Sequence, residues 1–231
     1  MCLGFMSRTD GRCRLNFQYN PTVDHKVRSI FPRIRIAEEI DSASASGSNL
    51  TTPFPSTTLG RQLEQVAKII KVKSALGIKR QIFFCSLDGF DHHTNQLADQ
   101  NRLLADLNAA LGAFYDATIE LGVSDSVTTF TESEFGRTLQ GSAGVGSDHG
   151  WGSHHIVLGG AVKGGDLYGR FPTLALGGPD DTASRGVWIP TTSLDQYGAT
   201  LASWLGVTAS GLATVFRNLS NFTPANLGFL Q

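Results

Sequence analysis

The stretch 82-IFFCSLDGFDHH-93 joins the two patterns that decide the predicted fold and its site. Its first half, 82-IFFCSL-87, is continuously apolar and has the length of a strand, which is typical of a strand covered on both faces. Its second half brings carboxylates and imidazoles together directly after that strand. Because open α/β sheets bind ligands beyond the carboxyl ends of their strands, this order predicts a functional site at 88–93.

Helical patterns lie on both sides of this strand. Apolar residues before it recur with the 3.6-residue period of a helix, at Leu59, Leu63, Val66 and Ile70. Either Thr57 or Thr58 is predicted to cap that helix. A longer helix with one apolar side follows the Asp/His stretch, and Gly122 is predicted to end it.

The pattern continues toward the C-terminus. The runs 126-SVTTF-130 and 156-IVLGG-160 are predicted as two further strands, the first of them buried. A last helix is predicted from about Leu194, with Thr192 or Ser193 as its cap and Gly206 after its end. Alternation of strands and helices predicts an α/β fold with a mostly parallel sheet.

The chain of 231 residues divides by composition into three parts. Residues 1–40 are predicted as an irregular N-terminal segment, 41–58 as a Ser/Thr/Pro-rich loop or linker, and 59–231 as the α/β region. The formal net charge of -1, without a long run of Lys or Arg, argues against a nucleic-acid partner. No apolar stretch predicts a membrane span, and the N-terminus lacks the apolar region of a signal peptide.

Five of the six histidines lie in two short stretches, 88-DGFDHH-93 and 148-DHGWGSHH-155. Carboxylate and imidazole together are the ligand set of zinc, manganese or iron. We therefore predict a divalent-metal site, most readily for zinc or manganese, with one or two ions. The candidate ligands are Asp91, His93, Asp148, His149, His154 and His155.

A third polar stretch, 131-TESEFGR-137, follows the second strand and supplies Glu134 and Arg137 as candidate catalytic residues. The planar guanidinium of Arg137 is suited to holding a substrate oxyanion. The structural alternatives are an Asp that caps a helix, a His that packs, and a surface ion pair between Glu134 and Arg137. Nucleophile-elbow and Walker A motifs are both missing from the sequence.

Several motifs in order resemble a bacterial family known as domain of unknown function 1501. They are 80-RQIFFCSLDGFDHHTNQ-96, 131-TESEFGRT-138, 148-DHGWGSHHIVLGGAVKGG-165, 186-GVWIPTTSLDQYGATLASWLGV-207 and 216-FRNLSNFTPANLGFL-230. The family is often exported by the twin-arginine route and is regarded as similar to the alkaline phosphatase and sulfatase superfamily. The resemblance implies a three-layer α/β/α fold, a two-metal site at the strand ends and a periplasmic or exported location.

The resemblance also implies a function. We expect the C-terminal part of a metal-dependent hydrolase that acts on phosphate or sulfate esters, with a small anionic ester or a carbohydrate-derived molecule as ligand. Family members are about twice as long, so we expect the N-terminal half, with its nucleophile and one metal ligand, to be missing. An incomplete site and association through an exposed sheet edge follow from that expectation. The alternative is a catalytically silent exported protein that binds carbohydrate or protein.

Overall fold

The computed structural model describes residues 2–8, residue 42 and residues 50–231. Helices and strands are mixed in this part of the chain. The strands are β1 (Cys2–Arg8), β2 (Arg80–Ser86), β3 (Val127–Glu132), β4 (Gly136–Gly141), β5 (Ser147–Gly150) and β6 (Val157–Leu158). The α-helices are α1 (Thr58–Lys71), α2 (Gln96–Glu120), α3 (Leu194–Leu205) and α4 (Ala209–Val215). Most of the predicted segment 1–40 and much of the predicted linker 41–58 lie outside the described residues.

The larger sheet has four strands in the order β2-β1-β3-β6. Each pairing between these neighbours is antiparallel, which differs from the mostly parallel sheet predicted from the sequence. The physical reason is the position of β1. Both β2 and β3 are antiparallel to β1 and so run in the same direction, as the β2–α2–β3 pattern predicts, but β1 lies between them. That central strand comes from the segment in which the sequence shows no clear period.

Helices pack on both faces of β3. Neighbouring residues of a strand point to opposite faces, so residues an odd number of positions apart enter different cores. Val127 belongs to a core formed mainly by α1 and α2, in which Leu63 and Phe114 are fully buried. Phe130, three residues along, belongs to a second core formed by α3 and the C-terminal segment. The two cores hold the sheet from either side and leave the strand ends free for a site.

Among the described residues, helices cover strand β2 on one face only. Cys85 is buried in the α1–α2 core, whereas Ile82 and Phe84 are 66% and 70% exposed. The predicted burial of 82-IFFCSL-87 on both faces is therefore wrong for this strand. The core around α3 is centred on β3 and β6, so it does not cover the corresponding face of β2. By contrast, the predicted burial of β3 is confirmed, since only its last residue, Glu132, is partly exposed.

The predicted helix ends are confirmed at several positions. The Thr57 side chain accepts from the Gly60 N–H at the start of α1, and Ser193 forms a reciprocal capping box with Gln196 at the start of α3. Gly206 ends α3 in the left-handed conformation that glycine adopts without strain. In the described part of the chain, no helix combines the length and apolar character needed to cross a membrane.

A separate hairpin of β4 and β5 follows β3 and positions much of the site. Its register places Arg137 opposite His149. The other edge of β4 contacts the loop at 185–186, where the backbone N–H groups of Leu139 and Gln140 donate hydrogen bonds to carbonyls of that loop. The many glycines and serines of 138–153 obscure this strand pattern in the sequence.

Candidate metal centre

Asp91, His93 and His149 bring three ligand atoms together at one point. Oδ1 of Asp91 lies 3.0 Å from Nε2 of His93 and 2.9 Å from Nε2 of His149. The two Nε2 atoms are 3.3 Å apart. In the described part of the chain these three residues form the group that is suited to holding a metal ion. About half of each side chain is exposed, so an ion and a further ligand can approach from solvent.

The loop between β4 and β5 lies directly on the segment that carries Asp91 and His93. Asn95 and Gln96 donate backbone N–H groups to carbonyls of this loop, and Ser147 donates to the carbonyl of His92. Gly146 makes the contact close, since an added Cβ would lie 2.1 Å from the carbonyl carbon of His93. The backbone of Thr94 is almost as close to this position. The contact fixes His149 relative to its two partners.

Arg137 ties the same two segments together. One terminal nitrogen donates to Oδ1 of Asp91, and the other donates to the carbonyls of His92, at 2.5 Å, and Ser147. Its Nε also donates to Oγ of Ser147, at 3.1 Å. Only 15% of the Arg137 side chain is exposed. The guanidinium is therefore bonded to protein on both of its donor edges, and it anchors the Asp91 carboxylate.

Two further contacts orient the imidazoles. The ring of Phe135 stacks on the ring of His149, with centroids 3.9 Å apart and planes 15° apart. On the other side, Oδ1 of Asp148 lies 3.7 Å from Nδ1 of His93, and Oδ2 of Asp148 accepts from Arg185 at 2.6 Å. Carboxylates that face the second nitrogen of a metal-binding His commonly orient its ring. Asp148 lies in that position relative to His93.

The electrostatics favour an ionised Asp91. Partial desolvation raises the pKa of its carboxyl, but hydrogen bonds from His149 and Arg137 outweigh that effect and hold the pKa below its ordinary value. The carboxylate therefore keeps its charge at neutral pH. Its Oδ1 atom faces both imidazole Nε2 atoms, which is the arrangement a divalent cation stabilises.

The spacing of the three atoms also fits a single ion. Ligand atoms bound to one ion at about 2.0–2.1 Å lie roughly 2.9–3.4 Å apart, from octahedral to tetrahedral angles. The three distances between ligand atoms, 2.9, 3.0 and 3.3 Å, all fall in that range. One carboxylate and two imidazoles leave coordination positions for water or substrate, as catalytic metal sites do.

The other predicted site residues lie outside this group. Asp148 is adjacent to it and bonds to Arg185. The rings of His154 and His155 stack on Phe171 and Tyr197, at 5.0 and 5.6 Å, and Glu134 lies beside them at the wall of a cavity. The sequence analysis missed Phe135, Ser147 and Arg185, which carry no metal-binding signature. Phe135 and Ser147 stand next to the predicted residues Glu134 and Asp148 in the chain, whereas Arg185 has no such neighbour.

The cavity lies next to the metal group and has a volume of about 690 Å³. Phe135 belongs to both, because its ring stacks on His149 and also lines the cavity. Several other aromatic side chains line it, with Trp151, Tyr168 and Phe171 among them. A cavity of this size is in the range that binds small organic ligands.

Comparisons with known proteins identify a family for this chain. The model of a family described as Protein of unknown function (DUF1501) matches residues 38–184, which is more than half of the chain. Neither the curated proteins nor the solved structures contain a match. The matched range includes all three residues of the metal group.

Proposed function

The chain belongs to the DUF1501 family, and we propose that it binds a divalent metal ion through Asp91, His93 and His149 as part of an ester hydrolase. The observation that supports this is the convergence of one carboxylate oxygen and two imidazole nitrogens within 3.3 Å of one another. Zinc and manganese match this ligand set best. The predicted ligands His154 and His155 have no part in this site.

The residues around the ion have distinct roles in the proposal. Arg137 holds the Asp91 carboxylate, and Phe135 and Asp148 set the orientation of His149 and His93. A bound ion of this kind lowers the pKa of a coordinated water toward about 7 and polarises an ester oxygen. The exposed side of the group then admits a small anionic ester, for which we propose a phosphate or sulfate ester.

The finer fold assignment is part of the same proposal. Helices on both faces of β3, and the common direction of β2 and β3, support a portion of a three-layer, alkaline-phosphatase-like fold. The resemblance in sequence supports export to the periplasm. Efficient ester hydrolysis needs a positioned nucleophile and usually a second ion, so a group of three ligands for one ion supports slow turnover.

Thermal unfolding in the presence of zinc or manganese tests the metal site. A ligand that binds the folded state raises the melting temperature by mass action, so we expect each ion to raise it in the unmutated chain. His149→Ala should abolish the rise. His154→Ala is the matched control, because it removes an imidazole outside the group and should leave the rise intact. Unchanged melting of the unmutated chain with either ion would overturn the proposal.

One observation favours the alternative of a binding protein without turnover, namely the aromatic cavity beside the metal group. Hydrolysis of aryl phosphates and aryl sulfates by the zinc-loaded chain separates the two functions. The hydrolase proposal expects slow hydrolysis that His149→Ala removes. Hydrolysis that is equal in His149→Ala and in the unmutated chain would favour the binding protein.

A further inference from the structure

The cavity beside the metal group displays large apolar side chains that a protein surface rarely groups together. Trp151 is 61% exposed and Phe171 is 51% exposed, and both line the cavity. Trp188 and Tyr197 are buried and form the deeper part of its lining. Exposed apolar groups that line a concave surface mark a recognition site, because water solvates them poorly.

The polar groups of the cavity are mixed in sign. Glu134, Lys163 and Asp166 lie in its lining. The guanidinium of Arg170, which also lines it, makes two hydrogen bonds to the Asp180 carboxylate and is neutralised by it. This balance does not favour a polyanion. It favours an uncharged molecule with many hydroxyl groups, since both donors and acceptors are available.

The two histidines of the cavity fit the same ligand. Stacking on Phe171 and Tyr197 holds the imidazoles of His154 and His155 at the wall. Partial desolvation by its neighbours, and then the charge of His154, hold the pKa of His155 below its ordinary value. A neutral imidazole has one donor and one acceptor nitrogen, which is the pairing a hydroxyl group satisfies.

We propose that this cavity binds the sugar ring of a carbohydrate ester, while the adjacent Asp91, His93 and His149 group holds the phosphate or sulfate. The C–H faces of a sugar ring pack on the exposed rings of Trp151 and Phe171, and its hydroxyls bond to the polar wall. Phe135 forms the boundary between the two parts of the site. The second half of this inference rests on the proposed function, whereas the sugar site itself does not.

Binding of neutral sugars to the metal-free chain tests the sugar site separately from the metal site. A panel of monosaccharides and disaccharides is added to EDTA-treated protein, and saturation-transfer NMR and tryptophan fluorescence are followed. We expect saturable binding of at least one sugar. Trp151→Ala should weaken it at least tenfold, and Phe171→Ala provides a second variant. Phe84→Ala is the matched control, because it removes an exposed aromatic ring outside the cavity.

The outcomes separate the two proposals. Sugar binding that survives His149→Ala but not Trp151→Ala supports the cavity, and a zinc-induced rise in melting temperature that survives Trp151→Ala shows that the variant is folded. Sugar binding by a chain that does not respond to metal would support the cavity and contradict the hydrolase. The sugar site would be overturned if no sugar bound saturably, or if Trp151→Ala bound sugars with unchanged affinity. It would also be overturned if the cavity bound the simple aromatic compound p-nitrophenol but no sugar.

Discussion

Arg137 donates to Asp91 and to two backbone carbonyls on the segments that meet at the metal group. We expect Arg137→Lys to weaken zinc affinity about 10–100-fold, the usual effect of losing a group that orients a metal ligand. A lysine ammonium is a single point charge and cannot reproduce the planar fork that reaches all three acceptors. Isothermal titration of zinc into the two proteins measures the difference.

Arg170→Lys is the control for that substitution, because Arg170 pairs with Asp180 and makes no contact with the metal group in the described structure. Its zinc affinity should equal that of the unmutated chain. If Arg137→Lys bound zinc normally and lost only ester hydrolysis, the result would support the oxyanion role predicted from the sequence.

Asp181 organises the loop that borders the hairpin, by accepting from four backbone N–H groups. Partial desolvation raises the pKa of its carboxyl, but those four donors outweigh the effect and lower the pKa from 3.8 to about 2. Because the pKa is depressed in the folded state, the stabilisation is complete above about pH 4. It is lost as the pH falls from about 4 to about 2.

Amide hydrogen exchange at Gly186 and Val187 should report this loss, because both N–H groups donate to Asp181. We expect their protection to fall over that pH window in the unmutated chain. In Asp181→Asn the protection should be low at every pH, since a neutral amide is a weaker acceptor. Parallel pH profiles in the two proteins would show that the carboxylate charge has no role in the loop.

At the residue scale, the sequence predicted all three members of the metal group but also Asp148, which lies beside the group, and two histidines that line the cavity. Asp148 and His149 are neighbours in β5, where consecutive side chains point to opposite faces. They therefore cannot approach one ion in the same way, and only His149 reaches Asp91. Composition reveals which residues can bind a metal, but the directions of their side chains depend on a hairpin whose strand pattern is obscured by glycines.

At the scale of elements, the outer edge of β2 pairs with no strand among the described residues. Ser86 is closed off, because the Gln62 side chain bonds both its N–H and its carbonyl, each at 3.0 Å. Backbone groups of alternate residues point the same way along a strand, so those of Ile82 and Phe84 face outward as well. Among the described residues, no backbone partner bonds to them on that side. This is the kind of edge at which strands of different molecules pair.

We therefore expect the isolated chain to self-associate and Phe84→Lys to reduce that association, because charge on an edge strand opposes pairing. Analytical ultracentrifugation over a range of concentrations measures it. Leu97→Lys is the matched control, since Leu97 is exposed on α2 and away from the sheet edge. A monodisperse unmutated chain at all concentrations would contradict the prediction.

The sequence predicted the helices better than the sheet. Capping residues and apolar periods are local, so Thr57, Ser193 and Gly206 indicate helix ends without reference to the rest of the fold. Strand neighbours are not local. Strand β1 pairs with residues about 80 positions away in β2 and about 120 positions away in β3. The apolar runs that form these strands do not specify that order.

At the scale of the whole molecule, the two cores share β3 and should unfold together. We expect Phe114→Ala, in the α1–α2 core, to lower the free energy of unfolding by about 3–5 kcal/mol. Phe114 is 1% exposed and its removal leaves a cavity. The drop should appear equally in circular dichroism and in tryptophan fluorescence, because Trp204 reports on the other core.

Ile119→Ala is the control on the same helix. Its side chain is 54% exposed, so the free energy of unfolding should change by less than about 0.5 kcal/mol. If the Phe114→Ala transition moved in circular dichroism but not in fluorescence, the two cores would be independent units. Loss of stability in the α1–α2 core would then not destabilise the core around α3.

The contact between Gly146 and His93 has a consequence for how relatives of this protein can vary. An added Cβ at Gly146 would overlap the backbone of His93, so the position is constrained even though glycine binds nothing itself. Natural selection that preserves Asp91, His93 and His149 must therefore also preserve glycine at position 146. In family members that retain all three ligands, the position of Gly146 should remain glycine, and lineages that acquire a larger residue there should also lose the ligands.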